Sequence, residues 1–85
     1  MKPGDLGEVC DGIMLEMYDN PDHPALSRKL NILKEHTKFL VVGTITDKDL
    51  GRAQVCYNMT WLYILIVGTI ETGWIDGDFA DPVWW

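Results

Sequence analysis

Two acidic clusters are the residues best suited to chemistry by type and spacing, and that chemistry would be the binding of a hard cation. One cluster lies at 76–81 and the other in a proline-containing segment at 19–23. Their members are Asp19, Asp22, His23, Asp76, Asp78 and Asp81. Carboxylate oxygens suit Ca²⁺ or Mg²⁺, but neither cluster has the ligand spacing of an EF-hand loop. We interpret both as solvated turn residues and predict no metal site and no cofactor.

The residues able to act as a nucleophile or a general base form no recognised catalytic set. The chain has two histidines, His23 and His36, two cysteines, Cys10 and Cys56, and one serine, Ser27. No spacing among them matches a nucleophile, its base and an orienting group, and the sequence has no glycine-rich phosphate loop. We therefore predict that the protein is not an enzyme. The cysteines lack a CxxC spacing and are expected to stay reduced.

The charge of the chain is acidic and unevenly distributed. Seven basic and thirteen acidic residues give a net charge of −6, which argues against nucleic acid as a partner because phosphate contacts need Lys and Arg. Residues 28–52 carry a net +3, between acidic segments of −5 and −4. We interpret this pattern as a solvated surface that keeps an apolar protein soluble. The alternative is a polarised surface that meets an oppositely charged copy or partner.

The length and the apolar runs limit the protein to one small domain, residues 1–85. A chain of 85 residues that is 47% hydrophobic can bury one modest core. No segment resembles a signal peptide, and the longest apolar run is much shorter than the roughly 20 residues that cross a membrane as a helix. We expect a cytoplasmic or virion protein that is not secreted by a classical signal and has no membrane partner.

The stretch 61–75, WLYILIVGTIETGWI, organises the expected fold. Its first seven residues are all apolar and Gly68 follows them, which favours a strand buried on both faces over an amphipathic helix. The β-branched residues after the glycine favour a second strand, so the stretch predicts a β-hairpin. Further strands are predicted at about 12–18, at 37–46 and, from clean alternation, at 52–59.

A similar seven-residue motif occurs twice in these predicted strands. LVVGTIT at 40–46 and LIVGTIE at 65–71 are twenty-five residues apart. Two copies do not make a repeat protein. The pattern predicts that Gly43 and Gly68 each mark a bend, a bulge or a turn of a curved sheet, with shared β-propensity as the alternative explanation.

One helix is predicted, over about 24–34. Asp22 can act as its N-cap, and Leu26, Leu30 and Leu33 recur at i, i+4 and i+7. We expect this leucine stripe to cover an open end or an edge of a small β-barrel.

Two stretches resemble SH3-like barrels, especially bacterial-type SH3 domains and small phage barrels. LKEHTKFLVV at 33–42 is similar to the family's turn and hydrophobic strand, with His36 at a position where the family commonly has glycine. Trp61 opens a strand as in the family, and GWIDGDF at 73–79 is similar to its Gly, aromatic, aliphatic, 3₁₀ turn and aromatic. The resemblance covers about 33–80 and implies a mainly β, SH3-like barrel of five or six strands, with the helix as an insertion.

The same resemblance implies a place for three aromatic residues. Tyr18, Trp61 and Phe79 stand approximately where SH3 domains have the aromatic residues that line their proline-peptide groove. Asp76 stands where eukaryotic SH3 domains place a proline in the 3₁₀ turn. That departure weakens the case for proline-rich ligands.

Aromatic residues are the feature in excess, because a small barrel can fully bury only one or two tryptophans. We therefore expect one outer face of the barrel to be covered, either by the chain's own helix and tail or by another polypeptide. The candidate binding residues are Tyr18, Tyr57, Trp61, Trp74, Phe79, Trp84 and Trp85. The first hypothesis is a structural or interaction module that forms a homo-oligomer or joins a larger assembly such as a phage particle. The alternatives are an SH3-type domain for a peptide or cell-wall ligand and an acidic inhibitor of a host protein.

Overall fold

The computed structural model describes residues 1–21, 28–51 and 59–83. Over these ranges the chain forms short strands and one 3₁₀ helix. The strands are β1 (Leu6–Val9), β2 (Leu15–Tyr18), β3 (Lys29–Leu33), β4 (Lys38–Thr46), β5 (Thr60–Ile66), β6 (Thr72–Asp76) and β7 (Ala80–Pro82), and the 3₁₀ helix η1 is Gly77–Phe79. The protein is therefore mainly β, as predicted, and the 3₁₀ turn that the family resemblance implied is present.

The strands of the described residues form one antiparallel sheet, in the order β3-β2-β6-β5-β4-β1-β7. The predicted closed barrel is wrong for this part of the chain, because the sheet stays open between its edge strands β3 and β7. One reason lies at the β7 edge, where the strand is three residues long and ends at Pro82. Proline has no backbone N–H to donate to a further strand. The relation to SH3-like barrels stays a prediction.

One face of the sheet carries the hydrophobic core. Along β5 the side chains alternate, so that Leu62, Ile64 and Ile66 point into the core while Tyr63 and Leu65 lie half-buried on the opposite face. The core cluster takes residues from six strands. Its members are Val9, Leu15, Met17, Leu33, Phe39, Val41, Leu62, Ile64, Ile66 and Ile75. Burial of this apolar surface is the main force that holds the sheet together.

The hairpin predicted at 61–75 is confirmed as β5 and β6. Leu62 pairs with Ile75 and Leu65 with Thr72, and Gly68 turns the chain with a φ of 84°, a conformation that glycine adopts without steric cost. The strand predicted at 37–46 is confirmed as β4. A bulge lies between Val41 and Gly43, so the glycines of the two motif copies mark a bulge and a turn.

The helix predicted at 24–34 is wrong over the residues that the structure describes. Residues 29–33 form β3, which pairs with β2 through contacts such as Leu15 opposite Leu33. The three-residue spacing of Leu30 and Leu33 places them on opposite faces of a strand, and Leu30 is 46% exposed while Leu33 is 3% exposed. Pairing with β2 satisfies the backbone and buries Leu33, which outweighs a weak helical pattern. Residues 22–27 lie outside the described ranges.

Three strands were not predicted, and one predicted strand cannot be compared. β1, β3 and β7 are short and carry few successive apolar residues. The strand predicted at about 12–18 is confirmed over its second half, as β2. Residues 52–58 of the strand predicted at 52–59 lie outside the described ranges.

Candidate functional site

A groove of about 390 Å³ lies where β2, β5, β6 and η1 come together. It is lined by the loop before β2, by outward side chains of β2 and by residues at the start of β5 and the end of β6. The lining residues are Gly12, Ile13, Met14, Leu15, Glu16, Tyr18, Trp61, Asp76 and Phe79. The groove combines aromatic and apolar walls with two carboxylates. We call it the aromatic groove.

The strand pattern of β2 explains why Tyr18 faces the groove. Leu15 and Met17 are buried in the core, so that Glu16 and Tyr18 alternate onto the other face. The rings of Tyr18 and Trp61 meet edge to face, with centroids 6.4 Å apart and an interplanar angle of 81°. This arrangement places the positive edge of one ring against the negative face of the other. Two walls of the groove therefore support each other.

The indole of Trp61 donates a hydrogen bond to a buried aspartate. Its Nε1–H donates this 3.1 Å hydrogen bond to Oδ1 of Asp47, and the two residues are 8% and 7% exposed. Asp47 stands in the turn after β4, and its backbone N–H bonds to the carbonyl of Met59 just before β5. The start of β5 and the side chain of Trp61 are thus fixed by the same residue. A buried donor needs such a partner to avoid a desolvation cost.

The opposite side of the groove is shaped by η1. Asp76 caps this 3₁₀ helix, because its Oδ1 accepts a 2.9 Å hydrogen bond from the N–H of Asp78. Phe79 ends the helix with its side chain 41% exposed, while its carbonyl accepts the N–H of Cys10 at 3.0 Å. Burial raises the pKa of the Asp76 carboxyl, with repulsion from Asp78 and Asp47 adding to the effect.

Glu16 supplies the second carboxylate of the groove and is already paired. Lys29 Nζ on β3 lies 2.7 Å from its Oε1, and the Tyr18 hydroxyl donates to its Oε2. The hydrogen bond from Lys29, followed by that from Tyr18, lowers the pKa of Glu16. The same carboxylate raises the pKa of the Tyr18 hydroxyl, because ionised tyrosine would face a negative charge and lose its acceptor.

The structure brings three of the predicted site residues together and leaves one apart. Tyr18, Trp61 and Phe79 all line the aromatic groove. Trp74 lies beside Tyr63 on the same face of the sheet, with ring centroids 5.0 Å apart, and does not line the groove. The remaining predicted residues, Tyr57, Trp84 and Trp85, lie outside the described ranges.

The sequence interpretation missed Met14, Glu16 and Asp76 as parts of this site. Met14 is 70% exposed, and an exposed methionine just before a strand leaves no distinctive signal in the sequence. Glu16 could have been found, since it stands two residues before Tyr18 and shares its face of β2. Asp76 was considered as a metal ligand of the acidic cluster at 76–81 and as the replacement of a 3₁₀-turn proline, but not as a carboxylate of the groove.

The other predicted clusters have ordinary surface contacts where they are described. Asp19 accepts the backbone N–H of Arg28 at 2.7 Å and faces its guanidinium at 3.8 Å, which closes the ends of the loop between β2 and β3. Its predicted companions Asp22 and His23 lie outside the described ranges. Cys10 is a free thiol, and burial raises its pKa, with the nearby Asp81 adding to the shift. Cys56 also lies outside those ranges.

Comparison of the chain with protein-family models, with curated proteins and with solved structures finds no match. Within residues 1–21, 28–51 and 59–83, none of the secondary structure is a helix of the length and apolarity that crossing a membrane requires.

Proposed function

We propose that this chain is a non-enzymatic interaction module that binds an extended protein segment in the aromatic groove through a basic side chain. The observation that carries the proposal is the meeting of Tyr18, Trp61 and Phe79 around one concavity that also contains the carboxylates of Glu16 and Asp76. These residues come from separate parts of the sequence. The fold assembles them on one face.

The shape and the walls of the groove suit a peptide side chain. Its volume of about 390 Å³ falls at the small end of ordinary ligand pockets. Tyr and Trp offer large contact areas at little cost in side-chain entropy, and they are enriched where binding energy concentrates. Because Tyr18 and Trp61 support each other edge to face and Trp61 is fixed by Asp47, these two walls are ordered before a ligand arrives. Such preorganisation lowers the entropic cost of binding.

The charge of the groove selects a cation. Asp76 is partly buried, and desolvation raises its pKa despite the hydrogen bond from the Asp78 N–H, so a basic ligand group would stabilise the ionised form. An Arg or Lys side chain over the face of Tyr18 adds a cation–π attraction of about 0.5–2 kcal/mol. The net charge of −6 would further accelerate the approach of a basic partner.

The resemblance to SH3-like barrels supports the same proposal. The three aromatic residues that the resemblance assigned to a peptide groove are the three that line this one. Asp76 replaces the proline of eukaryotic SH3 domains, which exchanges an apolar wall for a carboxylate. This difference favours a basic residue over a proline at that end of the groove.

Fluorescence anisotropy with a labelled proline- and arginine-containing peptide, and with the same peptide carrying Glu in place of Arg, tests the proposal. We expect the basic peptide to bind and Phe79→Ala to weaken binding at least tenfold. Ile70→Ala is the matched control, because Ile70 is 96% exposed and outside the groove. Equal binding of the two peptides, or an unchanged affinity in Phe79→Ala, would contradict the proposal.

A second candidate function is self-association along β3. This strand is an edge of the described sheet, and it exposes Leu30 and Ile32 on one side, at 46% and 45%. An edge strand with exposed apolar side chains can pair with the same strand of another copy. Light scattering across a concentration series should then detect a dimer that Ile32→Lys disrupts and that Val67→Lys, on the β5–β6 turn, leaves intact. A protein that stays monomeric at every concentration would exclude this candidate.

A further inference from the structure

Three potential metal ligands meet at the end of the sheet where two turns lie side by side. Asp11 belongs to the turn after β1, and Glu35 and His36 belong to the turn between β3 and β4. One ligand atom of each residue lies within 4.8 Å of the others. The two turns are brought together by the pairing of β1 with β4 and by a 2.9 Å hydrogen bond from the His36 N–H to the Val9 carbonyl.

We propose that Asp11, Glu35 and His36 bind Zn²⁺, with a water molecule as the fourth ligand. The site is independent of the proposed function, since none of the three residues lines the aromatic groove. A nitrogen and two carboxylates match the ligand types that zinc accepts. The imidazole also disfavours Ca²⁺ and Mg²⁺, which prefer oxygen ligands in greater number.

The distances are close to those of a tetrahedral site. Zinc ligands at about 2.0–2.1 Å from the metal lie about 3.3 Å from one another. His36 Nε2 and Asp11 Oδ1 are already 3.1 Å apart, so the metal can replace the hydrogen bond between them with little movement. The other ligand distances, at most 4.8 Å, have to shorten by about 1.5 Å or less. All three side chains are exposed, and rotation of their outer bonds can supply that change.

One of the ligands is held in place by a group that would not touch the metal, and a carboxylate lies near another. Glu35 Oε2 accepts the N–H of Gly12 at 2.7 Å, which leaves its other oxygen for zinc. The Nδ1 atom of His36 faces Oε2 of Glu8 at 3.8 Å. This 3.8 Å separation is longer than a hydrogen bond, so Glu8 contributes negative charge near the ring and does not hold it.

The local charge favours a divalent cation. Glu8, Asp11 and Glu35 lie around the imidazole, and Lys38 pairs with Glu8 at 3.5 Å. A bound Zn²⁺ would reduce the repulsion among these carboxylates. Sequence spacing gave no hint of the site because Asp11 is separated from the other two ligands by more than twenty residues.

Isothermal titration of the purified, untagged protein with zinc chloride tests this proposal. We expect one Zn²⁺ per chain, and a loss of affinity of at least tenfold in both His36→Asn and Glu35→Gln. His36→Asn is chosen because His36 has a φ of 63°, a left-handed conformation that asparagine tolerates. Circular dichroism should show that the variant keeps its fold. Glu8→Gln, which removes one negative charge near the ring, should weaken binding less than His36→Asn does.

The controls separate this site from the other potential zinc ligands of the chain. Cys10→Ser and His23→Ala should bind zinc with the affinity of the original protein. The proposal would be overturned if the original protein bound no zinc, if His36→Asn bound it equally well, or if Cys10→Ser lost it.

Discussion

Removal of the Asp47 carboxylate should destabilise the protein through the indole of Trp61. In Asp47→Ala, the Nε1–H of a tryptophan that is 8% exposed loses its 3.1 Å acceptor. A buried donor left without a partner costs about 1–3 kcal/mol. For a domain of this size, each kcal/mol lowers Tm by about 4–8 °C, so a loss of about 2 kcal/mol predicts a decrease of about 8–16 °C. Asp47→Asn keeps an oxygen acceptor and should lose less than about 1 kcal/mol.

Urea denaturation followed by tryptophan fluorescence measures both changes. Asp49→Ala is the matched control, since Asp49 is an exposed residue of the same turn that accepts the Thr46 N–H at 3.1 Å. We expect it to cost about 0.5–1 kcal/mol as a lost turn hydrogen bond. The reasoning would be refuted if Asp47→Ala were as stable as the original protein. It would also fail if Asp47→Asn were destabilised as strongly as Asp47→Ala, because the cause would then not be the missing acceptor.

Three further predictions concern residues at or behind the groove. Burial raises the pKa of Asp76, so the folded protein holds the proton of this carboxyl group more tightly than the unfolded chain does. Above the folded pKa the ionised carboxylate therefore lowers the free energy of unfolding, and this loss of stability disappears on acidification. Urea denaturation should therefore show that Asp76→Asn raises the free energy of unfolding at neutral pH but not below pH 3.8, the ordinary aspartate pKa. An equal increase in this free energy at neutral and at acidic pH would contradict the prediction. Gly73→Ala should lower the free energy of unfolding, measured by urea denaturation, by about 1–3 kcal/mol, because the Cβ of the new alanine would lie 2.5 Å from Met17 Cγ. An unchanged urea midpoint would show that the Met17 side chain can move away without cost. Glu16→Gln should lower the pKa of Tyr18, which Glu16 raises, in an ultraviolet absorbance titration compared with Tyr18→Phe; an unchanged titration would remove Glu16 as the cause.

The sequence predicted the centre of the sheet better than its edges. The hairpin of β5 and β6 was predictable because seven successive apolar residues followed by Gly68 allow few other structures. The edge strand β3 was mistaken for a helix, since Leu30 and Leu33 fit the helical period and so short a segment can form either a helix or a strand. Only the pairing of β2 with β3, a contact between distant residues, decides between them.

The candidate site was predictable in its aromatic residues and not in its charges. Tyr18, Trp61 and Phe79 were identified through the family resemblance, and the structure places them in one groove. The contribution of Glu16 depends on the alternation of β2, and that of Asp76 on the partial burial that η1 and the preceding strand create. Both are consequences of packing. A linear pattern of residues does not reveal them.

The oligomer was predicted from an excess of aromatic residues, but the described residues that are most exposed are of another kind. Trp61 is almost fully buried within the chain itself, so it does not require a partner to leave water. Among the described residues, the large hydrophobic side chains that remain exposed at 45% or more are not aromatic. They are Met14, Leu30, Ile32, Val42, Val67 and Ile70. Within the described residues, contact surfaces are therefore better sought at the groove and the β3 edge than at the centre of the sheet.

The most direct test of the groove proposal is a two-dimensional NMR titration of isotopically labelled protein with the arginine-containing peptide. We predict that the Trp61 indole, the Met14 methyl and the Phe79 amide shift together and saturate with one affinity. The indole of Trp74, which lies outside the groove beside Tyr63, should change much less. Shifts confined to β3, or the absence of any shift at saturating peptide, would contradict the claim that the aromatic groove binds a basic protein segment.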